Sequence, residues 1–435
     1  MQKKICVVGL GYIGLPTAVT FANHGVRVHG VDVNEKAVNM IQNKQLHIEE
    51  DGLQERLDKA IDEKLLTVST TPEEADVFII AVPSPINRDK TANLEYVRQA
   101  TASVVPFIKK GNLVVLESTV PPKTVENIML PELIKTGLKI GVELFVSHSP
   151  ERVIPGRIFE ELTNNDRIVG GINDESAQMT KELYEVFVKG TIHITDATTA
   201  ELVKVMENTY RDVNIAFANE LAKIAETLDV NIWEAIKFAN FHPRVNIHYP
   251  GPGVGGHCIA VDPWFLVELS SEAKIIELAR NTNDGMPGYT AKKAKQILQT
   301  EANKTTGKVA VLGLAFKGNV DDMRESPSTD VIQELQDLGL EVVSYDPHIK
   351  TNTHPTQTQS LEEATTGADI VLVLTDHNEF KALQPASIRE NVQTAVVLDT
   401  KNCLLRQTWE QAGFAFYTLG DAKNKKQSQL EHQNQ

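Results

Sequence analysis

The sequence predicts an α/β chain: two Rossmann-like, doubly wound parallel-sheet domains joined by a central helical region with one long helix. Three observations carry this. Short β-branched runs alternate with helix-periodic segments through residues 4–152, the alternation returns from about residue 308, and the stretch between them contains a long run at helical spacing. The chain has 435 residues, more than the ~250–300 that one core accommodates. The expected divisions are 1–195, 196–300 and 301–422, with a polar tail over 423–435.

In the first half, "KICVV" at 4–8 is a short strand that runs into Gly9, Gly11 and Gly14 and then into "LPTAVTFANHG", a helix. "RVHGVD" is a second strand and ends at Asp32. Glycines let the backbone turn tightly and approach a pyrophosphate, the helix N-terminus faces its charge, and an acid ~20 residues on accepts ribose hydroxyls. Strand, turn, helix, strand and acid together predict a dinucleotide. Asp32 with no arginine after it favours NAD over its 2′-phosphorylated relative. Further strands at 75–85, 112–122 and 143–152 end in small or polar residues, which makes Ser84, Ser118, Thr119 and Glu151 candidates for a cleft at the strand ends. Each alone reads equally well as a loop cap.

The segment "TAELVKVMENTYRDVNIAFANELAKIAETL" predicts the long helix, with Leu202, Met206, Tyr210, Val213, Phe217, Leu221, Ile224 and Leu228 as one buried stripe. Beside it run Lys204, Asn208 and Arg211 at i, i+4 and i+7, either a solvated edge or a recognition face. Downstream, "GPGVGGHCIAVDP" sets Cys258 on a loop of glycine and proline. A thiolate there can add to an aldehyde, giving a thiohemiacetal that surrenders a hydride and leaves a thioester for water to cleave. The glycines are expected to let a bulky substrate lie against the backbone, and Lys204 to favour the thiolate and the oxyanion. Cys6 and Cys403, in or beside strands, read as small packed residues.

"KVAVLGLAFKG", "LEVVSYDP", "ADIVLVLTDH" and "TAVVLDTKN" then echo the first half in the same order. The second turn has lost the third glycine and carries Phe316 and Lys317, which implies a different phosphate ligand. A formal net charge of −15 argues against nucleic acid or an anionic membrane surface as partner. No apolar run approaches the ~18 residues of a membrane span. Three cysteines far apart give neither a disulfide framework nor metal-ligand spacing, so no metal and a reducing cytoplasm are expected.

The motifs "GPGVGGHCIAVDPWF", "SPERVIPG", "ENTYRDVNIAFANEL", "HPRVN" and "LAFKGNVDDMRESP" are long and jointly specific. Through them nearly the whole chain resembles the nucleotide-sugar 6-dehydrogenase family. The resemblance implies a Rossmann NAD domain, a central dimerisation region and a UDP-sugar domain, with two NAD reduced per substrate. It implies Cys258 as nucleophile, Lys204 as proton donor or acceptor that steadies the oxyanion, Asn208 and Asp262 as assistants to oxyanion and water, and Thr119 and Glu151 near the water or the nicotinamide. Besides the glycines, cofactor contacts fall on Tyr12, Ile13, Asp32, Ser84, Thr119 and Arg324. Ser84 stands where a threonine is usual, which keeps the hydroxyl. Substrate contacts fall on Arg152, Val153, Lys204, Asn208, Arg211, His242, Arg244, Gly255, Lys317, Gly318 and Lys401. Some of these, Arg244 above all, are implied to reach in from a neighbouring subunit, so a homodimer or a multiple of dimers with shared active sites is expected. Lys401 stands where glucose-type enzymes tend to carry arginine, which fits an N-acetylhexosamine. The expected substrate is UDP-N-acetyl-D-mannosamine, with UDP-N-acetylglucosamine and UDP-glucose as alternatives, and the acid would feed a surface polysaccharide.

Overall fold

A computed structural model of the chain describes residues 3–48, 50–154, 156–256, 258–350 and 353–421. The predicted tail over 423–435 lies outside the described residues. By packing the chain divides into two units, residues 1–207 with 264–271, and residues 208–263 with 272–435.

The first unit is built on an eight-stranded sheet. Its strands are β1 (Lys4–Val8), β2 (Arg27–Val31), β3 (Leu66–Ser69), β4 (Val77–Ile80), β5 (Asn112–Leu116), β6 (Leu144–His148), β7 (Arg167–Gly171) and β8 (Ile192–Asp196), in the order β3-β2-β1-β4-β5-β6-β7-β8. Every neighbouring pair is parallel except β6 and β7. Strands so deep in a sheet covered on both faces must be apolar throughout, and β4 and β5 are buried at every residue. The order reverses beside β1, so the β1 and β4 carboxyl ends form a switch point, the place where open parallel sheets take ligands.

The second unit repeats the plan over five strands, all parallel: β9 (Lys308–Leu312), β10 (Glu341–Tyr345), β11 (Ile370–Val373), β12 (Val396–Asp399) and β13 (Ala415–Thr418), ordered β10-β9-β11-β12-β13. Again the first strand sits inside the sheet with a reversal beside it. The predicted echo is therefore structural: β9, β10, β11 and β12 fill the places of β1, β2, β4 and β5.

The helix Ala197–Thr227 is 31 residues long, as its period predicts. Its apolar stripe is not buried. Met206 is 52% exposed, Tyr210 57%, Phe217 50% and Leu228 66%, with Leu202 and Ile224 also exposed and Val213 and Leu221 half-buried. The buried face instead carries Val205, Ala216, Ala218 and Ala222 together with Glu201, Asn208, Asp212 and Asn219. The reason is that Glu201, Asn208, Asp212 and Asn219 each find a strong partner inside their own unit, while the buried Thr209 hydroxyl on the same face has none among the described residues. Asp212 pairs with the buried Arg280 and accepts from Asn283, and Asn219 bonds Asn283 and the Gly251 amide. Small alanines then allow close packing, and the large apolar side chains are left outward.

Glu201 shows what such burial costs. Its oxygens accept from the amides of Lys123 and Val125 at 2.5 and 2.8 Å, holding the chain where Lys123 takes a φ of +72°. Burial pushes its carboxyl up from 4.5 to about 7, against the pull of those amides. The folded protein thus holds a proton that the unfolded chain has released between these two values, so this group's contribution to stability falls as pH rises from about 4.5 to 7. With Glu201→Gln, the drop in urea-unfolding free energy between pH 5 and pH 8 is expected to shrink by up to roughly 3 kcal/mol relative to wild type.

Candidate active site

The first glycine turn follows β1 directly. Gly9 has φ +94°, and a Cβ on it would lie 2.4 Å from the Ala81 carbonyl oxygen. A Cβ on Gly14 would stand 1.8 Å from the Gly9 carbonyl oxygen, so the helix Gly14–Asn23 can start only against bare backbone. Gly11 has nothing within 4 Å of that position, an opening through which a ligand can meet the chain. At the end of β2 the two oxygens of Asp32 accept from the amides of Leu10 (2.8 Å) and Asn34 (2.9 Å), which aims the half-buried carboxylate beside the turn. Tyr12 and Ile13 lie on the turn and are half-buried. Turn, helix start and oriented acid fit a dinucleotide without added assumption.

The β4 and β5 ends are tied together. The Ser84 hydroxyl donates to the Thr119 carbonyl and the Ser118 hydroxyl to the Val82 carbonyl. Beyond β6, Glu151 is buried, and its carboxylate accepts from the Arg152 amide at 2.5 Å and from Arg167 at 3.2 Å. Arg167 also donates to Glu117 (2.9 Å) and Ser149 (2.9 Å) and lies over the Tyr184 ring, 3.9 Å from its centroid. Glu117 in turn accepts from Tyr184 (2.6 Å) and Thr17 (3.1 Å). Burial pushes the Glu117 carboxyl up while Arg167 pulls it back, and burial with the Glu117 charge pushes the Tyr184 phenol well up. Arg152 is engaged by Glu207 at 2.6 Å and by the Asp166 carbonyl, and Val153 packs on the core of this unit. Lys204, half-buried on the long helix, lies near enough to His148 to add to the effect of burial, which holds that imidazole down at about 3.

In the second unit Asn208 donates to Asp262 at 2.6 Å, both side chains buried. The Cys258 carbonyl accepts from the Val261 and Asp262 amides at 3.1 and 2.8 Å, so the cysteine opens the turn that leads into the helix Asp262–Leu269. Its side chain is exposed. The loop glycines make room for the chain itself. A Cβ on Gly253 would lie 2.6 Å from Pro327, one on Gly255 2.6 Å from the Glu325 carbonyl oxygen and 2.8 Å from Phe316, and one on Gly256 3.0 Å from the Phe316 ring. The thiol loop is thereby seated on the second glycine turn, which carries the exposed Lys317 and the half-buried Gly318. The Lys401 Nζ lies 3.6 Å from the position of a Gly251 Cβ, placing a second cation beside the same loop. Arg324 is exposed and forks onto Asp322 at 2.9 and 2.6 Å, while Arg211, His242 and Arg244 are exposed on the helix and the segment that follows it.

The first unit therefore gathers Gly9, Gly11, Gly14, Asp32, Ser84, Thr119 and Glu151, and the second gathers Asn208, Asp262, Cys258, Gly255, Lys317, Gly318 and Lys401. Glu117, Arg167 and Tyr184 were not anticipated. The only signal was the acid in "VLESTVPP", at a strand end where an uncompensated charge is costly. Of the remaining cysteines, Cys6 is buried and Cys403 half-buried beside β12. Among the described residues no helix is long and apolar enough to cross a membrane.

Comparison with known proteins decides the family. Residues 3–188 match the NAD binding domain of the UDP-glucose/GDP-mannose dehydrogenase family, residues 198–285 its central domain and residues 310–406 its UDP binding domain. The chain belongs to this family. It is an NAD-dependent nucleotide-sugar dehydrogenase, with the dinucleotide turn in the domain the sequence assigned to it. A UDP-N-acetyl-D-mannosamine dehydrogenase of Methanocaldococcus jannaschii is 50% identical over 428 residues, 97% of each chain. An NDP-N-acetyl-D-galactosaminuronic acid dehydrogenase of Ralstonia solanacearum is 44% identical over 412 residues, 92% of this chain and 96% of that one. The solved UDP-D-ManNAc dehydrogenase of Pyrococcus horikoshii superposes with a TM-score of 0.91 at 41% identity, over 97% of this chain and 100% of that one.

Removing the buried cation is the sharpest test of the Glu151 setting. Arg167→Met strands Glu117 and Glu151 without a counter-charge and is expected to cost about 3–5 kcal/mol in chemical unfolding. Arg167→Lys, which keeps the charge and loses the fork, should fall between the two.

Proposed function

We propose that the protein oxidises carbon 6 of UDP-N-acetyl-D-mannosamine to the carboxylate, giving UDP-N-acetyl-D-mannosaminuronate. The observation that carries this reading is Cys258, exposed at the turn before Asp262, whose carboxylate holds the Asn208 amide. The names of relatives at 50% identity favour the N-acetylmannosamine substrate.

NAD, when bound by the Gly9 turn and Asp32, takes up the hydride in each of two oxidations. The first turns the alcohol into an aldehyde, its hydroxyl proton passing to a basic group. The Cys258 thiolate then forms a C–S bond to the aldehyde carbon. The alkoxide so formed is steadied by the Lys204 ammonium and by the Asn208 amide hydrogen not given to Asp262. Loss of the second hydride leaves a thioester, and water aimed by Asp262, Glu151 and Thr119 breaks the C–S bond and returns the thiolate. One alcohol, one water and two NAD become one carboxylate, two NADH and three protons. Lys317, Lys401, Arg211 and Arg152 match the diphosphate by charge, with Val153, His242, Gly255 and Gly318 beside the sugar and Arg324 toward the cofactor. The divisions near 195 and 300 are read as the borders of the NAD, central and UDP-sugar domains.

The exposed stripe of the long helix supports a homodimer. Five large exposed side chains along one helix, from Leu202 to Ile224, with Leu228 just past its end, are more than a solvated helix retains without a partner, and a second copy offers the same stripe. Arg244, exposed beyond that helix, is assigned to the neighbour's substrate. An exposed working thiol suits a reducing cytoplasm.

With UDP-N-acetyl-D-mannosamine the purified protein is expected to release about two NADH per sugar and an acid of matching mass. NADH from UDP-glucose alone would overturn the assignment, and a preference for UDP-N-acetylglucosamine would move it one epimer away. Cys258→Ala should abolish acid formation, and unchanged turnover would sink the thioester route. In sedimentation, Met206→Glu with Phe217→Glu is expected to halve the mass of the wild-type assembly.

A further inference from the structure

We propose that His377 is a positioning residue for the nucleotide sugar: it locks the turn over residues 313–319, so that Lys317 and the Gly318 backbone are held ready for the diphosphate. This rests on the reading of the second domain as the UDP-sugar site. The turn leaves β9 at Gly313, whose φ of +104° and whose contact with Thr375, 2.4 Å from a Cβ, admit no side chain. One wall of the clamp is Asp346, at the end of β10. One of its oxygens accepts from the Leu314 and Ala315 amides at 2.7 and 3.0 Å, and the other from the His348 and Ile349 amides at 2.9 and 3.2 Å. The other wall is the segment after β11, where Thr375 donates to the Ala315 carbonyl at 2.7 Å and the Asp376 carbonyl oxygen lies 2.7 Å from a Gly318 Cβ.

His377 joins the walls. It is fully buried, and its Nε2 bonds Asp346 at 3.0 Å while its Nδ1 takes the Asn319 amide at 2.9 Å. An amide only donates, so Nδ1 is the acceptor and Nε2 carries the proton given to Asp346. Burial works to raise the Asp346 carboxyl, yet the His377 bond and the amides hold it down at about 2. Asn319, at φ +61°, closes the ring by accepting from the Asn378 amide at 2.9 Å. Lys317 is thus two residues from a backbone atom pinned by a buried imidazole. His348, His377 and Glu379 bring possible ligand atoms within 4.8 Å of one another, but both His377 nitrogens are engaged in the clamp, which argues for positioning over metal binding.

The test measures UDP affinity by calorimetry without NAD, beside steady-state kinetics. His377→Gln can donate to Asp346 through its amide nitrogen and accept from Asn319 through its oxygen; His377→Phe can do neither. His377→Phe is expected to weaken UDP and raise the KM for the UDP-sugar about tenfold, with kcat and the KM for NAD within about threefold of wild type, and His377→Gln to stay within about threefold throughout. Asn319→Gly keeps the left-handed backbone and the buried histidine but loses the link to residue 378, and should weaken UDP about threefold. It serves if the phenylalanine variant fails to fold. Unchanged UDP affinity in His377→Phe or in Asn319→Gly overturns the proposal, as does an equal loss of kcat and NAD affinity in the Phe and Gln variants. Wild-type protein that binds UDP but oxidises no UDP-sugar refutes the proposed oxidation and leaves the UDP affinities to decide the role of His377.

Discussion

The space at three α-carbons decides where the Cys258 thiol stands. Gly253, Gly255 and Gly256 press their backbone on Pro327, Glu325 and Phe316, so the cysteine loop can seat itself only where side chains are missing. A methyl group at Gly255 would come within 3 Å of the Glu325 carbonyl oxygen, Pro327 Cδ and Phe316 Cβ, and no rotamer change relieves a clash with a carbonyl oxygen. From this seat follows the register of the next turn, with Asp262 four residues beyond Cys258, and so the partner of Asn208. Cys258, the Asn208 amide and the cation-bearing turn are one packed object rather than separate pieces that meet by chance. That is the rigidity a site needs when its reacting atoms must be held to a fraction of an ångström.

The charged groups of the first unit follow a related logic. Glu117 and Glu151 are buried carboxylates, and two like charges so close to apolar strands would drive each other to take up protons. Arg167 between them, stacked on Tyr184, gives both carboxylates one shared counter-charge. Thr17 ties that cluster to the helix that begins at the dinucleotide turn. The setting of Glu151 is thereby coupled to the cofactor helix through two ion pairs and a hydrogen bond.

What was legible in the sequence is what repeats locally. Strands β1, β2, β4 to β6 and β9 to β12, both glycine turns and the two strand-ending acids were read from runs of a few residues, because each is fixed by contacts within its own βα unit, whereas the short edge strand β3 was not read. The long helix was read correctly as a helix and incorrectly as a buried stripe. Period 3.6 names a face but not what covers it, and here alanines and partnered polar groups took the inner side while Met206, Tyr210 and Phe217 were left outside. Glu117 with Arg167, and Asp346 with His377, were invisible for another reason. They pair across 50 and 31 residues, and no periodicity records which acid meets which base.

The two acids show how one topology yields two ligands. Asp32 and Asp346 end equivalent strands, and each takes the amide one residue beyond the glycine that follows the first strand, from Leu10 and Leu314. Asp32 accepts two amides and remains half-buried, with lone pairs left for hydroxyl donors. Asp346 accepts four amides and an imidazole and is sealed. A carboxylate with five donors has nothing left to offer a ribose, so the second turn cannot bind a dinucleotide in the manner of the first. What it keeps is a firmly held backbone and a lysine, which suit a diphosphate met by charge. The difference between a redox cofactor and a sugar nucleotide is thus made by filling one hydrogen-bonding site from within.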